Sequence, residues 1–236
     1  MTRYREISSA EMTSAQKKVH DEIVAGRRGR FGGPFQILIR APEVCRHLQR
    51  LGEYLRWGSS LPPALSELAI CLTARHLRAS YEWHAHAPLA VEAGVPAAAI
   101  EAIRTGATPS FTAPGQVLVH RVVTELIDTK RLTDATFAEA VARFGEQGIV
   151  ELGTIVGYYT AVGNALNAFQ VPLPAGAPQP FPEYERAGPR GSHPGPPARD
   201  EARPRHQRRR RVPQGRDRWR LFRRLRQASQ PRRQPP

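Results

Sequence analysis

The sequence predicts an all-α domain, and three observations carry that prediction. Apolar residues recur three and four positions apart over most of residues 1–171, the spacing that lines one face of a helix. Breaks rich in glycine and proline separate these runs. Alternating apolar and polar residues, the mark of a half-buried strand, are nearly absent.

The elements follow in order. Thr13 or Ser14 is placed to cap a first helix through Val19, Ile23 and Val24, stopped at Gly26. Gly29-Arg30-Phe31-Gly32-Gly33-Pro34 reads as a loop. Pro42 suits a first helical turn, and Val44, Leu48, Leu51 and Leu55 follow at helical spacing. Leu65, Leu68, Ala69, Leu72 and Leu77 continue the pattern after Pro62-Pro63. A helix through His86, Leu89 and Ala90 ends at Gly94, a residue suited to a left-handed cap. Helices are predicted over Pro96 to Ile103 and Gln116 to Lys130, and Thr133 caps another over Ala135 to Phe144. The last runs from about Gln147 to Phe169 and carries Gly153, Gly157 and Gly163. Glycines lower helix propensity, so three of them predict a closely packed neighbour. The segment from Ile149 to Phe169 is the most apolar, yet it holds Glu151, Asn164 and Asn167. It therefore reads as a buried helix rather than a membrane span.

Charge divides the chain. The total of 35 Lys+Arg against 21 Asp+Glu gives +14. Residues 187–236 alone carry +13, with 16 Arg and no Lys, while residues 1–186 carry +1. Fourteen of the 22 prolines also fall between Pro172 and Pro236. The reading is one helical domain, residues 1–184, followed by a disordered Arg/Pro-rich extension, residues 185–236. Two cysteines, Cys45 and Cys71, are too few for a disulfide framework and predict a reducing, cytoplasmic setting. The first twenty residues lack the apolar run of a signal peptide.

The chemistry concentrates in Glu67 to Gly94. Glu82 and His86 stand four apart, so a helix places them on one face. A carboxylate beside an imidazole can orient it, fix its tautomer and exchange protons near neutral pH. Glu67 lies fifteen residues before Glu82, where an antiparallel helix pair returns it to the same place. An ordinary i,i+4 pair on a solvated face is the plain alternative. His84-Ala85-His86 has the form of a metal-binding pair on a strand, but on a helix the two rings point about 200° apart. Tyr81 and Trp83 flank the pair and are candidates to line a pocket, or equally to be core or interface aromatics. Glu125 and Glu151, within apolar helical runs, either join the site or cap and pair.

Glu67, Ala79, Glu82 and His86, with the stretch YEWHAHAPLAVEAGVPAAAIEAI, resemble the carboxymuconolactone decarboxylase family of the alkylhydroperoxidase D-like superfamily. The later run from VTELIDTKRLTDATF to VGNALNAFQVPLP resembles the second half of its decarboxylase-like members, so the resemblance spans about residues 10–184. It implies a compact helical fold, a homo-oligomer (trimer or hexamer) and a small-molecule substrate. Catalytic residues implied are His86, Glu82 and Glu67, with Tyr81 and Trp83 as pocket residues. Peroxidase-type members carry Cys-x-x-Cys where this chain has Ala79 and Glu82, and without that pair no thiolate attack closed by a disulfide is available there. Cys45 and Cys71 read as small core residues. The resemblance therefore points to the decarboxylase branch, with a peroxiredoxin-type oxidoreductase as the alternative. Decarboxylation of a carboxylated lactone needs no metal or organic cofactor, because the lactone supplies the electron sink.

The extension offers a rival function. Arg208-Arg209-Arg210-Arg211 and the run from Trp219 to Arg226 have the form of a patch for nucleic acid or anionic membrane. Yet all its basic residues are Arg amid Pro, Gly and Gln, a bias that a GC-rich gene gives when read out of frame. The expectation is an out-of-frame or otherwise non-selected extension, with a solvated disordered tail and genuine nucleic-acid binding as alternatives.

Overall fold

A computed structural model describes residues 3–181. The expected extension, residues 185–236, lies outside the described residues, as does everything read from it. The described residues form eight helices and, among them, no strand. These are α1 (Ser14–Ala25), α2 (Phe35–Leu38), α3 (Pro42–Trp57), α4 (Pro63–Leu77), α5 (Ser80–Glu92), α6 (Ala97–Thr105), α7 (Pro114–Thr129) and α8 (Asp134–Phe169). The class is all-α, as the periodicity predicts.

Local chemistry sets the boundaries. Thr13 caps α1 through a capping box with Gln16: its hydroxyl accepts from the Gln16 amide, and the Gln16 side chain accepts from the Thr13 amide. Pro42, Pro63 and Pro114 sit in the first turns of α3, α4 and α7, where a missing N–H loses no helical bond. Thr133 caps α8, and Gly145 (φ 69°, ψ 172°) breaks that helix into the two arms the sequence predicts. The short α2, within residues 35–38, is a turn too brief for periodicity to reveal.

α4 is the centre. It packs against α5, α7 and α8, and its buried positions include Leu65, Leu68, Ala69, Ile70, Cys71 and Ala74, close to the whole circumference. A helix apolar all round belongs inside a bundle. It ends at Arg78, in the left-handed conformation (φ 55°), whose amide together with that of Ala79 bonds back to the last turn. The chain thus reverses within two residues and α5 returns antiparallel to α4. A smaller cluster, Val19, Ile23, Phe35, Leu38, Ile39 and Cys45, joins α1, α2 and α3 beside the main core.

The expectation for the α8 glycines needs correction. A side chain at Gly163 would meet Leu77 Cδ1 at 3.1 Å and Ala79 Cβ at 3.2 Å, so this position is closely packed. Gly153 and Gly157 have nothing within 4 Å of a built Cβ. Their helix face is open in the single chain, and periodicity cannot tell a face that packs within a chain from one that does not.

Beyond α8 the chain returns to the core. Phe181 is buried at 2 % exposure, sets its ring edge-on to Trp83 at 5.3 Å and lies 5.2 Å from the Arg75 guanidinium. Replacing Phe181 by Ala is expected to lower unfolding stability by about 3 kcal/mol, because it opens a cavity beside Trp83. Urea unfolding followed by circular dichroism measures this, and a change within about 0.5 kcal/mol would show that the segment is not part of the cooperative core.

Candidate functional site

Two features of the fold build the site. The tight α4–α5 reversal brings Glu67 back against His86, and Glu82 precedes His86 by one helical turn. His86 Nδ1 lies 2.6 Å from Glu67 Oε2, and its Nε2 lies 3.5 Å from Glu82 Oε2. The imidazole thus stands between two carboxylates. His86 and Glu82 are buried, at 6 % and 3 % exposure, so the solvated-face reading of the pair does not hold.

The two carboxylates differ. Glu67 Oε2 makes a short hydrogen bond to the ring, which as an acceptor fixes a proton on Nδ1. Glu82 makes only the longer contact. Burial pushes its carboxyl pKa up, against the lowering influence of His86, Arg56 and Arg28, and Glu67 adds to the rise. Glu82 is thus the group held towards its protonated form.

A cavity of about 430 Å³ opens onto Glu82 and His86. Its walls come from the loop of residues 28–35, from Arg56 and Trp57 at the end of α3, and from Tyr81 on α5. Tyr158, Tyr159 and Val162 of α8 close the other side. Glu67 is not among the lining residues and lies behind the imidazole. Hollows of about 640 and 730 Å³, the first sharing Trp57 with this cavity, are lined by neither Glu82 nor His86.

The loop and Gly52 shape this cavity. Gly33 has φ 58° and brings its backbone against the Tyr81 hydroxyl, 3.3 Å from a built Cβ. At Gly52 any Cβ would stand 2.2 Å from Tyr158 Oη and 2.8 Å from Arg28 Nη2. Only glycine there leaves room for both groups.

Sequence reasoning missed Tyr158 and Tyr159. The Tyr159 ring stands edge-on to His86, with centroids 5.0 Å apart, and edge-on to Tyr158 at the same distance. Burial raises the Tyr158 pKa to about 12 and holds Tyr159 well above the usual phenol value. Both stay neutral donors. Nothing in the sequence marks them apart from their place in an apolar helix, where a tyrosine usually signals packing.

The remaining candidates separate cleanly. Tyr81 lines the cavity; Trp83, buried at 5 %, does not, since its ring points into the core against Phe181. On helix α5 the two residues lie about 200° apart, so one of them faces inwards. His84 shares that helix with His86 and likewise points away from it. Cys45 and Cys71 have no exposed surface, and burial pushes both thiol pKa values up, Cys45 to about 12. Neither is a thiolate nucleophile. Glu125 binds the Thr136 hydroxyl at 2.7 Å and the Thr133 amide at 2.9 Å, and so supports the α8 cap.

Glu151 is a structural carboxylate. It accepts from Tyr54 Oη (2.5 Å), Ser59 Oγ (2.9 Å), Ser60 Oγ (2.7 Å), the Ser60 amide (3.0 Å) and Gln147 (3.0 Å). Burial works to raise its pKa, but these bonds together overcome it and bring the value down to about 2. It ties the turn between α3 and α4 to α8.

Residues 42–122, from the start of α3 into α7, match the model of the carboxymuconolactone decarboxylase family. Glu67, Glu82 and His86 lie inside that segment, whereas the loop of residues 28–35 and Tyr158 and Tyr159 lie outside it. No protein of curated function matches the chain.

The two buried glutamates predict opposite pH signatures. Glu151, with its pKa lowered, stabilises the fold above about pH 4.3, the unfolded value, and loses this as pH falls towards 2. Glu82, with its pKa raised, favours the fold at low pH and loses that contribution as pH rises above about 4.3 and through its folded value. Melting temperatures measured against pH are therefore expected to fall for Glu151→Gln, relative to the unaltered protein, most at neutral pH. For Glu82→Gln they rise, most at high pH. The same sign for both variants would contradict the assignment.

Proposed function

We propose that this chain, which carries a carboxymuconolactone decarboxylase family domain over residues 42–122, is a carboxy-lyase that acts on a small carboxylated lactone without a cofactor. The family domain by itself points to a decarboxylase or alkylhydroperoxidase-like function. The observation that favours the first is the Glu67–His86–Glu82 arrangement beside a cavity, in a chain whose two thiols are buried with their pKa values pushed up.

In the reaction, the bond between the lactone ring and its carboxylate breaks and carbon dioxide leaves. The electron pair stays on the ring and spreads into the lactone carbonyl as an enolate, and a proton then adds to carbon. The protein supplies three things. The Tyr158 and Tyr159 hydroxyls, neutral and on the cavity wall, donate hydrogen bonds to the developing oxyanion. Glu82 and His86 Nε2 share the proton that is delivered to carbon, with Glu82 kept towards its acid form by burial. Glu67, behind the ring, is a positioning residue that holds the imidazole through Nδ1. The protein takes up one proton from solvent per turnover, because the lost carboxylate carried the negative charge.

The exposed apolar side chains Val44, Leu51 and Val150, the last 67 % exposed, and the open face at Gly153 and Gly157 support assembly into a homo-oligomer.

Carbon dioxide release from candidate carboxylated lactones tests the reading. His86→Ala and Glu82→Gln are each expected to lower kcat/KM by about 100-fold or more. The double replacement of Cys45 and Cys71 by Ser is expected to leave turnover of the same lactone intact. Unchanged decarboxylation in His86→Ala, or peroxide turnover that disappears with Cys71, would overturn it.

A further inference from the structure

The charge of the cavity is unbalanced. Three guanidiniums, Arg28, Arg30 and Arg56, line it, and none makes an ion pair with a carboxylate among the described residues. The acids on hand face the imidazole instead, Glu67 at 2.6 Å from Nδ1 and Glu82 at 3.5 Å from Nε2.

Arg28 is fixed rather than free. Its guanidinium stacks 4.7 Å from the Phe35 ring centre and 5.5 Å from that of Trp57, while Nη2 donates to the Gln49 carbonyl at 3.4 Å. Its Nε is buried without a hydrogen-bond partner. Arg56 stacks on the same indole at 5.0 Å. Two held guanidiniums on one cavity, neither paired with a carboxylate among the described residues, lack the anion that usually accompanies such a pair. Gly52 makes this placement possible, because its missing side chain is what admits Arg28 and Tyr158 together.

We propose that Arg28 and Arg56 anchor a carboxylate that the substrate keeps through the reaction, with Trp57 as the shared platform that orients both guanidiniums. The proposal rests on the decarboxylase reading for which group is anchored. A guanidinium paired with the carboxylate that departs would stabilise the starting state more than the transition state, where that charge is leaving as neutral carbon dioxide. The anchored group is therefore another one, and holding it places the scissile carboxylate near Glu82 and His86. The planar fork of arginine suits a carboxylate in two-point contact. Arg30, exposed at the rim, adds attraction for an anion entering.

Titration calorimetry on the full chain with succinate as probe, at fixed ionic strength, tests this without requiring turnover. Saturable binding is expected, weakened about 10-fold in both Arg28→Gln and Arg56→Gln and within about 2-fold of the unaltered protein in Arg121→Gln, whose guanidinium pairs with Glu139 on the surface away from the cavity. Arg28 makes two ring contacts and a hydrogen bond to Gln49 where Arg56 stacks on Trp57, so Arg56→Gln carries the test if Arg28→Gln proves unstable by thermal melting. Absence of saturable binding, or binding unchanged in Arg56→Gln, would overturn the anchor. Inorganic phosphate binding as tightly as succinate, with the same sensitivity to both variants, would overturn its assignment to a carboxylate. With a lactone that is turned over, both arginine variants are expected to raise KM more than they lower kcat. Succinate binding as expected, with no lactone decarboxylated, would support the anchor and count against the decarboxylase reading alone.

Discussion

The imidazole of His86 stands between two carboxylates inside a helical bundle, and much of the structure serves that one arrangement. Burying Glu82 and His86 in an apolar core, with Glu67 partly buried beside them, is unfavourable unless they satisfy one another. The 2.6 Å contact from Glu67 does so on one side of the ring, and Glu82 stands 3.5 Å from Nε2 on the other, with burial pushing its carboxyl pKa up. The α4–α5 reversal, closed within two residues at a left-handed Arg78, sets the level at which Glu67 meets His86. α8 then covers the ring with Tyr159. A change in that turn would separate the carboxylates without touching either.

The same arrangement divides labour between acid groups of one chemical kind. Glu67 sits behind the ring, out of the cavity, and orients it. Glu82 faces the cavity and is tuned by desolvation. Glu151, equally buried, has five donors around it and becomes a permanently charged strut. Burial alone does not decide what a carboxyl group does; the number of hydrogen bonds that favour its charged form does.

Much of this was legible in the sequence. The helices, the cap at Thr133 and the break near Gly145 follow from periodicity and punctuation, because helix ends depend on local chemistry. The Glu82–His86 pair follows from spacing on one helix, and Glu67 from an antiparallel return. Tyr158, Tyr159 and the arginines of the cavity were not legible. They arrive from α8, from α3 and from the loop of residues 28–35, and only tertiary packing places them together. Trp83 shows the same limit: it lies about 200° round the helix from Tyr81, and only the packing of Phe181 against it shows which of the two faces the core. Gly153 and Gly157 show the limit of composition, since a small residue permits a close neighbour without requiring one in the same chain.

The charge of +14 says little about the helical domain, where residues 1–186 are close to neutral. What matters there is a local imbalance, three guanidiniums on a cavity whose acids are spoken for. The account hangs on the direction in which His86 is held, with its Nδ1 proton given to Glu67 and Nε2 left for Glu82 and the cavity. Nitrogen NMR of the protein labelled at its eight histidines, with His86 assigned by loss of its signals in His86→Gln, measures this directly. The result in keeping with the account is a neutral ring protonated at Nδ1 that loses this preference in Glu67→Gln. A ring protonated at Nε2, or a tautomer indifferent to Glu67, would contradict it.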